Sequence, residues 1–517
     1  MNKLLKTPGS RRDKRSVIYQ TAILSASNIF LQLLGFAYRI LLSRLAGPEG
    51  MGVYTLVMQV YSMVVSICLS GVSIAVTTLS AKLYARGNML GLQRLVRYAM
   101  GLFFGLFLLA AVPVTFFHHQ IAEDLLGDGR TANALLMVLI CIFLTGYENI
   151  FKAVFHGSKR VQFSAVSEVT EQTARIFLVL FLLKRFMNQD SGYTAFLILS
   201  GMTLSEVFSV SILGFSYLKC FARKRGSADS PVPGINGQFL KIALPSAANA
   251  AVCTLFGSVS TVLFPTRLIA AGFLRTDAVS ILGVISGMAG PLIRLPFALI
   301  GSLCTVLMPA VSACAAARDK KGVCRKIVKG FQATAWIGLP ATAVLLVLLP
   351  DLCGLLFKQR VSESLAAFLA VETALSYFCI ICINMLVGLS QQKRVLIYTV
   401  IGEGVQLILM WFLTALPQWN IYGYLIAAIV GAAVRLILCL RRVRILTGTG
   451  PRLLADVAAP LIASALLFAL TSLAAPRFTV MTGSVGWGAA LSVALAVPVY
   501  AALTRTMGAR SFRDLWR

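Results

Sequence analysis

The residues of this sequence that could carry chemistry are ionisable side chains within stretches that are otherwise apolar. They are Arg39, Glu148, Glu168, Glu171, Arg175, Glu206, Lys241, Arg294, Glu372, Glu403 and Arg435. If these stretches cross a membrane, a charge at the centre costs roughly 2.5 to 3.5 kcal/mol on insertion scales. Each side chain then needs an opposite charge or a water-filled cavity, and each is a candidate for a functional site.

Three of these charges share one face of a single predicted helix. Glu168, Glu171 and Arg175 are spaced i, i+3 and i+7, and Glu171 can pair with Arg175 one turn later. Two interpretations are open: an internal charge pair that stabilises the helix, or a relay for protons or cations. The same two interpretations apply to three further glutamates, Glu148, Glu206 and Glu403.

An arginine lies between two prolines later in the chain. The segment Gly290-Pro-Leu-Ile-Arg294-Leu-Pro296 falls in a predicted span of residues 278–310, too long for one straight crossing of about 20 residues. Proline removes a backbone donor and kinks a helix, and the freed carbonyl groups are tolerated at membrane depth only beside protein or water. A broken helix with an arginine predicts a binding site. The alternative is a packing kink in which Arg294 pairs with a glutamate.

Two more arginines lie near the start of the chain. Arg39 lies more than one turn inside its predicted helix, whereas Arg44 lies near the helix end, where a long side chain can reach the interface. Arginine stays charged and binds phosphate oxygens through two parallel hydrogen bonds, so a pyrophosphate is a natural ligand. We therefore predict Arg39, Arg294 and Arg44 as substrate-binding residues. A packing or pairing role for Arg39 is the alternative.

The composition indicates a membrane protein. Of the 517 residues, 58% are hydrophobic and 13% are charged, whereas soluble domains carry about 25% charged residues. The net charge of +28 would suggest nucleic acid as the partner of a soluble protein. Here, however, the basic residues concentrate in loops that an alternating topology assigns to the cytoplasm, so we expect a lipid bilayer and no nucleic acid. No nucleotide-binding loop, catalytic triad or metal-ligand cluster is recognisable, and we expect no enzyme, no cofactor and no metal.

The apolar runs predict an all-α, polytopic membrane protein of about fourteen transmembrane helices. A basic N-terminal cluster and an even number of spans place both termini in the cytoplasm. Asn149, Lys159-Arg160 and Glu168 are matched by Asn384, Lys393-Arg394 and Glu403, which indicates an internal repeat, with chance similarity as the alternative. The predicted parts are a basic tail (1–16), an N-terminal six-helix lobe (17–221), a cytoplasmic linker (222–237), a C-terminal six-helix lobe (238–440), and two additional helices with a cytoplasmic tail (441–517).

Several motifs together carry a family resemblance. They are Leu34-Gly-Phe-x-x-Arg39-x-x-Leu-x-Arg44 with Gly47-Pro-Glu-Gly50, the pairs Lys159-Arg160 and Lys393-Arg394, and Leu295-Pro296 with Met308-Pro309. With them the chain resembles, over essentially its whole length, the multidrug, oligosaccharidyl-lipid and polysaccharide exporter superfamily, in the branch of stage V sporulation protein B and the lipid II flippases. Gln32 and Tyr38 stand where the lipid II flippases carry basic residues, which favours the sporulation protein branch.

The resemblance implies two six-helix lobes around a central cavity and alternating access. The predicted function is a flippase that moves an undecaprenyl pyrophosphate-linked oligosaccharide or peptidoglycan precursor across the bacterial cytoplasmic membrane, with Arg39 and Arg294 on the pyrophosphate. The alternative is a cation-coupled multidrug antiporter with proton or sodium sites at Glu148, Glu168 or Glu206. Arginines in both lobes favour the flippase, because a basic cavity repels cationic drugs. A third hypothesis, a scaffold for wall or coat enzymes, leaves the cost of the buried charges unexplained.

Overall fold

The computed structural model describes residues 11–158, 160–187, 190–222, 235–317, 319–448 and 453–515. These residues form helices and turns without a strand, which confirms the predicted all-α membrane fold. The helices up to residue 270 are α1 (Arg11–Ala85), α2 (Met89–Phe116), α3 (His118–Gln120), α4 (Ala132–Gly157), α5 (Gln162–Phe186), α6 (Ser191–Tyr217) and α7 (Ile235–Ala270). Those that follow are α8 (Arg275–Leu282), α9 (Gly290–Ile293), α10 (Phe297–Ala316), α11 (Lys320–Phe357), α12 (Glu363–Gly388), α13 (Gln392–Leu413), α14 (Asn420–Thr447), α15 (Leu453–Thr482) and α16 (Val485–Leu515).

Helix α1 covers two apolar runs, residues 17–45 and 51–77, each long enough to be one predicted transmembrane span, and has a kink between them. At 1.5 Å per residue its 75 residues would extend about 110 Å if straight, several times the roughly 30 Å of hydrocarbon in a bilayer. The helical conformation is interrupted at Gly47, whose φ of 69° favours glycine, and Pro48 follows it. The Gly47-Pro-Glu-Gly50 motif therefore separates two spans within a few residues.

Twelve helices in the described part of the chain are long and apolar enough to cross a membrane. Helix α1 counts once among them although it holds two predicted spans. Helix α5 is not among them, because Glu168, Glu171 and Arg175 interrupt its 25 residues, a length that is itself sufficient for one crossing. The total of about fourteen crossings stays a prediction.

The eighth predicted span, 278–310, is interrupted at its Pro-flanked arginine. Helix α8 continues into a π-helical segment, Gly283–Ala289, and then into the short α9, which ends at Ile293, directly before Arg294. A turn through Pro296 leads into α10. π-Helical turns are rare and occur frequently at functional sites. Arg294 thus lies at a helix end, where the backbone hydrogen bonds of Leu295 and Phe297 span three residues and replace the regular α-helical pattern.

The chain divides into two compact units, Met1–Ser258 and Val259–Arg517. In the first unit, α4 is the most buried of the spanning helices and packs against α1, α2 and α6. In the second unit, α10, α11, α12 and α14 form a core that includes Phe331, Tyr377 and Leu436. The predicted linker 222–237 and the basic tail lie largely outside the described residues, so the predicted domain boundaries stay predictions.

Candidate functional site

Helices α4, α5 and α6 bring a set of charged side chains together inside the first unit. They are Glu148 and Lys152 of α4, Glu168, Glu171 and Arg175 of α5, and Glu206 of α6. Lys152 Nζ lies 2.7 Å from Glu148 Oε1, 3.4 Å from Glu168 Oε1 and 3.7 Å from Glu171 Oε2. Arg175 Nη2 pairs with Glu171 Oε1 and lies 3.2 Å from Glu206 Oε1. These residues, called the acidic network below, form ion pairs that connect the three helices.

The acidic network has more negative than positive charge. Glu148, Glu171 and Glu206 are buried, and one oxygen of each lies within 4.8 Å of the others. By distance alone these oxygens could hold a metal ion, but Lys152 and Arg175 already lie against them as fixed cations. In addition, Glu206 Oε2 is buried and has no hydrogen-bond partner among the described residues. A buried carboxylate without compensation is costly, so the network requires further positive charge.

Serine hydroxyl groups of α5 and α6 complete the acidic network. Ser209 donates a hydrogen bond to Glu148 Oε1, and Ser167 Oγ lies 2.6 Å from Ser209 Oγ. Arg175 Nε donates to Ser205 Oγ at 3.4 Å. These bonds hold the charged groups of the three helices in fixed positions.

The close approach of α5 and α6 depends on a glycine. A Cβ atom at Gly201 would lie 2.5 Å from Val179 Cγ2 and 2.9 Å from Val179 Cα. Only a residue without a side chain allows α6 to pack this closely on the α5 backbone, as is common where membrane helices meet.

The broken helix of the second unit holds Arg294 against one carboxylate. Arg294 Nη2 lies 3.4 Å from Glu372 Oε2 of α12, and Glu372 Oε1 accepts a 2.8 Å hydrogen bond from Ser376 Oγ. Tyr377 of the same helix donates to the Ile293 carbonyl oxygen at 3.4 Å. The Arg294 side chain is 57% exposed and that of Glu372 is 12% exposed. Within the described part of the chain, Nη2 is the only Arg294 nitrogen with an acidic partner, so the guanidinium group keeps donors for another anion.

A second buried ion pair joins α13 and α14. Arg435 Nη1 pairs with Glu403 Oε1, and both side chains are largely buried. This pair has one acid and one base, so its charges balance, whereas the acidic network of the first unit has more acidic than basic groups. This geometry agrees with the charge-pairing interpretation of Glu403.

Comparisons with known proteins find similar sequences. The MatE family model matches residues 24–180. Stage V sporulation protein B of Bacillus subtilis (strain 168) is 23% identical over 422 residues, which cover 81% of this chain and 82% of the relative. Lipid II flippase MurJ of the same organism is 21% identical over 446 residues, covering 80% and 79%.

Solved structures show the same fold. A structure of lipid II flippase MurJ in an inward closed conformation matches with a TM-score of 0.70 at 15% identity, covering 95% of this chain and 99% of that one. An inward-facing multidrug resistance MATE family transporter matches with a TM-score of 0.65 at 16% identity, covering 83% and 99%. The chain is similar in sequence and in fold to members of the multidrug, oligosaccharidyl-lipid and polysaccharide exporter superfamily. With twelve apolar helices of spanning length among its described residues it is a multi-pass membrane protein, similar in sequence to stage V sporulation protein B and to lipid II flippase MurJ.

In this protein, the predicted site residues fall into separate groups. The predicted ion pair between Glu171 and Arg175 is present, as part of the acidic network. Arg39 of α1 is half-buried and has no acidic partner in the described part of the chain, and Arg44 is exposed. Arg39 and Arg294 belong to different units, so their joint action on one ligand stays a prediction.

Sequence reasoning did not identify two members of these sites. Lys152 was not among the candidate residues, although it follows Glu148 by four residues, the same spacing that indicated the pair of Glu171 and Arg175. Glu372 was recognised as a charge within a span but not as the partner of Arg294. Sequence spacing does not predict the contact between Arg294 and Glu372, because the two residues are 78 positions apart.

Proposed function

We propose that this protein is a flippase for a lipid-linked saccharide whose anionic pyrophosphate binds to Arg294 and Arg39. The observation that carries the proposal is the broken helix at Arg294, where a half-exposed guanidinium group is held by one weak ion pair. The names of the relatives support the same substrate class, since lipid II flippase MurJ is similar in both sequence and fold.

The chemistry of arginine fits this substrate. A guanidinium group stays charged at every physiological pH and donates two parallel hydrogen bonds to a phosphate, which makes it a selective ligand for a pyrophosphate. Glu372 is fixed by Ser376 and touches Arg294 at one nitrogen, so it orients the arginine without occupying all of its donors. The saccharide would cross within the protein in the cytoplasmic membrane while the lipid chain stays in the bilayer.

A second candidate function is cation-coupled export of drugs, because a multidrug resistance MATE family transporter shares this fold. The acidic network is the observation that favours it, because buried carboxylates in excess over basic groups suit the binding of a cation. The two candidates differ in the charge of the substrate: an exposed arginine favours an anionic lipid, whereas a drug exporter favours a cationic compound.

The deciding experiment is translocation of a labelled lipid pyrophosphate saccharide in proteoliposomes. We expect Arg294→Ala to lose most of the activity, because one charge-assisted contact contributes on the order of 2 kcal/mol, or about thirtyfold. Arg294→Lys should recover only part of it, since an ammonium group lacks the two-pronged geometry. Arg39→Ala is expected to reduce transport as well.

Arg360→Ala is the matched control, because Arg360 is an exposed arginine of the second unit with a surface ion pair to Asp351. Its rate should equal that of the parent. Parental rates in both Arg39→Ala and Arg294→Ala would refute the proposal. Uptake of a cationic dye with no movement of the lipid would favour the drug exporter instead.

A further inference from the structure

We propose that a cluster of aromatic side chains around Arg160 is a binding site for the phosphodiester headgroup of an anionic phospholipid in the cytoplasmic leaflet. Arg160 belongs to the Lys159-Arg160 pair, which the sequence repeats at Lys393-Arg394. The flippase proposal assigns no role to either pair, and the acidic network contains neither of them. The site is therefore separate from every site described above.

Aromatic rings from several helices meet at one end of the first unit. The Phe221 ring centroid lies 5.6 Å from that of Phe155 and 6.1 Å from that of Tyr84. Helix α2 joins them through Gln93, whose Nε2 donates a 2.9 Å hydrogen bond to the Phe221 carbonyl oxygen. The rings, called the aromatic cluster below, are Tyr84 of α1, Phe155 of α4, Phe163 of α5, Tyr217 of α6 and Phe221 of the π-helical turn Leu218–Ala222 that follows α6.

The aromatic cluster holds the guanidinium group of Arg160. Arg160 Cζ lies 5.4 Å from the centroid of the Phe221 ring and 5.8 Å from that of Tyr84, distances typical of cation–π contacts. Its Nη2 also donates a hydrogen bond to Tyr84 Oη at 3.4 Å. In the part of the chain that the structure describes, no carboxylate pairs with Arg160. The two rings fix the cation in place, so an anion that binds to it immobilises little additional side-chain freedom.

The charges around the aromatic cluster are positive and lack nearby acids. Arg97 of α2 interacts electrostatically with Tyr217, and its side chain is exposed. Arg94, one turn before it, and Lys219 of the π-helical turn are exposed as well. The segments that contribute to this end of the unit contain neither aspartate nor glutamate over residues 50–122, 149–167 and 207–228. An anion is therefore the complementary ligand.

The position of the site favours a lipid over a soluble anion. Phe215 and Leu218, on either side of Tyr217 in the sequence, are 68% and 55% exposed, as expected of side chains that contact acyl chains. The basic groups lie at the end of the same helix, where the positive-inside rule places the cytoplasmic surface. An anionic phospholipid carries a phosphate on an apolar tail and matches both surfaces, whereas a free phosphate matches only the basic one.

The test is native mass spectrometry of the purified full-length protein, with phosphatidylglycerol as the probe and zwitterionic phosphatidylcholine as the reference. The parental protein should bind phosphatidylglycerol in preference. Arg160→Gln should weaken that binding about fivefold, the contribution expected of one basic side chain at an anionic lipid surface. Phosphatidylcholine binding should stay parental, because only the charge has been removed. A merely structural role of Arg160 would change the binding of both lipids or of neither.

Arg394→Gln is the matched control. Arg394 is the arginine of the second Lys-Arg pair, its side chain is exposed, and no aromatic ring of the described residues forms a cation–π contact with it. We expect parental binding of phosphatidylglycerol in this variant. Arg97→Gln changes an exposed side chain and should also weaken phosphatidylglycerol binding. It replaces Arg160→Gln if that variant does not fold.

Four results would overturn the proposal. Equal binding of the two lipids by the parental protein would exclude an anion-selective site. Parental binding in Arg160→Gln, or in Arg97→Gln where Arg160→Gln does not fold, would leave Arg160 a structural role. An equal loss in Arg394→Gln would show a general attraction to basic ends. Displacement of phosphatidylglycerol by soluble glycerol phosphate would indicate a free-phosphate site. None of these measurements uses a lipid pyrophosphate saccharide, so they do not depend on the flippase proposal.

Discussion

Single ion pairs in this protein differ in burial, and burial decides what each contributes to stability. Glu403 and Arg435 are 19% and 17% exposed, whereas Asp351 and Arg360 are 34% and 80% exposed. Water screens the exposed pair and leaves it a contribution of at most about 1 kcal/mol. In the buried pair, water does not solvate the two charges, so each charge is stabilised mainly by the opposite charge of its partner.

A double-mutant cycle on the buried pair tests this dependence. Arg435→Met leaves Glu403 buried without a partner and should lower the free energy of unfolding by about 3 to 5 kcal/mol. Arg435→Met with Glu403→Leu removes both charges and should recover most of that loss. Denaturation in detergent micelles measures both, with Arg360→Ala as the exposed control. Additive losses from the two single changes would show that the residues are not coupled.

At the scale of the helices, α5 and α6 carry part of the acidic network, and a glycine allows them to pack closely against each other. Gly201 of α6 lies against the backbone of Val179 in α5, and the same two helices provide Glu171, Arg175 and Glu206. The network geometry therefore depends on the spacing of α5 and α6 as well as on the charges themselves.

Gly201→Ala should separate α5 from α6. The added Cβ would lie under 3 Å from both side-chain and backbone atoms of Val179, and overpacking of this kind costs about 1 to 3 kcal/mol. We expect a lower unfolding temperature. Gly105→Ala in α2 is the control, because nothing lies within 4 Å of its Cβ and alanine favours a helix. Equal stability of both variants would contradict the packing argument.

At the scale of the whole molecule, charge asymmetry predicts how the chain crosses the membrane. Basic residues concentrate in alternate loops, whereas residues 121–129, which the same alternating topology places outside, carry Glu123, Asp124 and Asp128. The positive-inside rule then places the segment around Ser227 and Ser230, which lies outside the described residues, in the cytoplasm.

Cysteine labelling in intact cells tests this topology. In a background without the eleven native cysteines, Ser227→Cys and Ser230→Cys should resist an impermeant reagent and react only after the membrane is permeabilised. Asp124→Cys in the predicted outer loop should react at once and serves as the positive control. Ready labelling at Ser227 and Ser230 from outside would invert the proposed orientation.

The sequence by itself determined the properties that depend on local composition and spacing. Long apolar runs specify membrane helices, because a segment in hydrocarbon must satisfy its backbone hydrogen bonds internally. The prolines around Arg294 specify the break, because proline lacks the backbone donor. The i, i+4 spacing of Glu171 and Arg175 specifies their ion pair within one helix.

Only the tertiary structure decided which helices meet and on which faces. Helices that are apolar nearly all round have no polar side to indicate their rotation, so the sequence could not bring Glu206 of α6 to Glu148 of α4 or Glu372 of α12 to Arg294. These contacts follow from side-chain packing between helices, in which glycines such as Gly201 set the distance. Glu148, Glu171 and Glu206 lie on three different helices. Their carboxylates therefore form a buried cluster only after these helices have packed together.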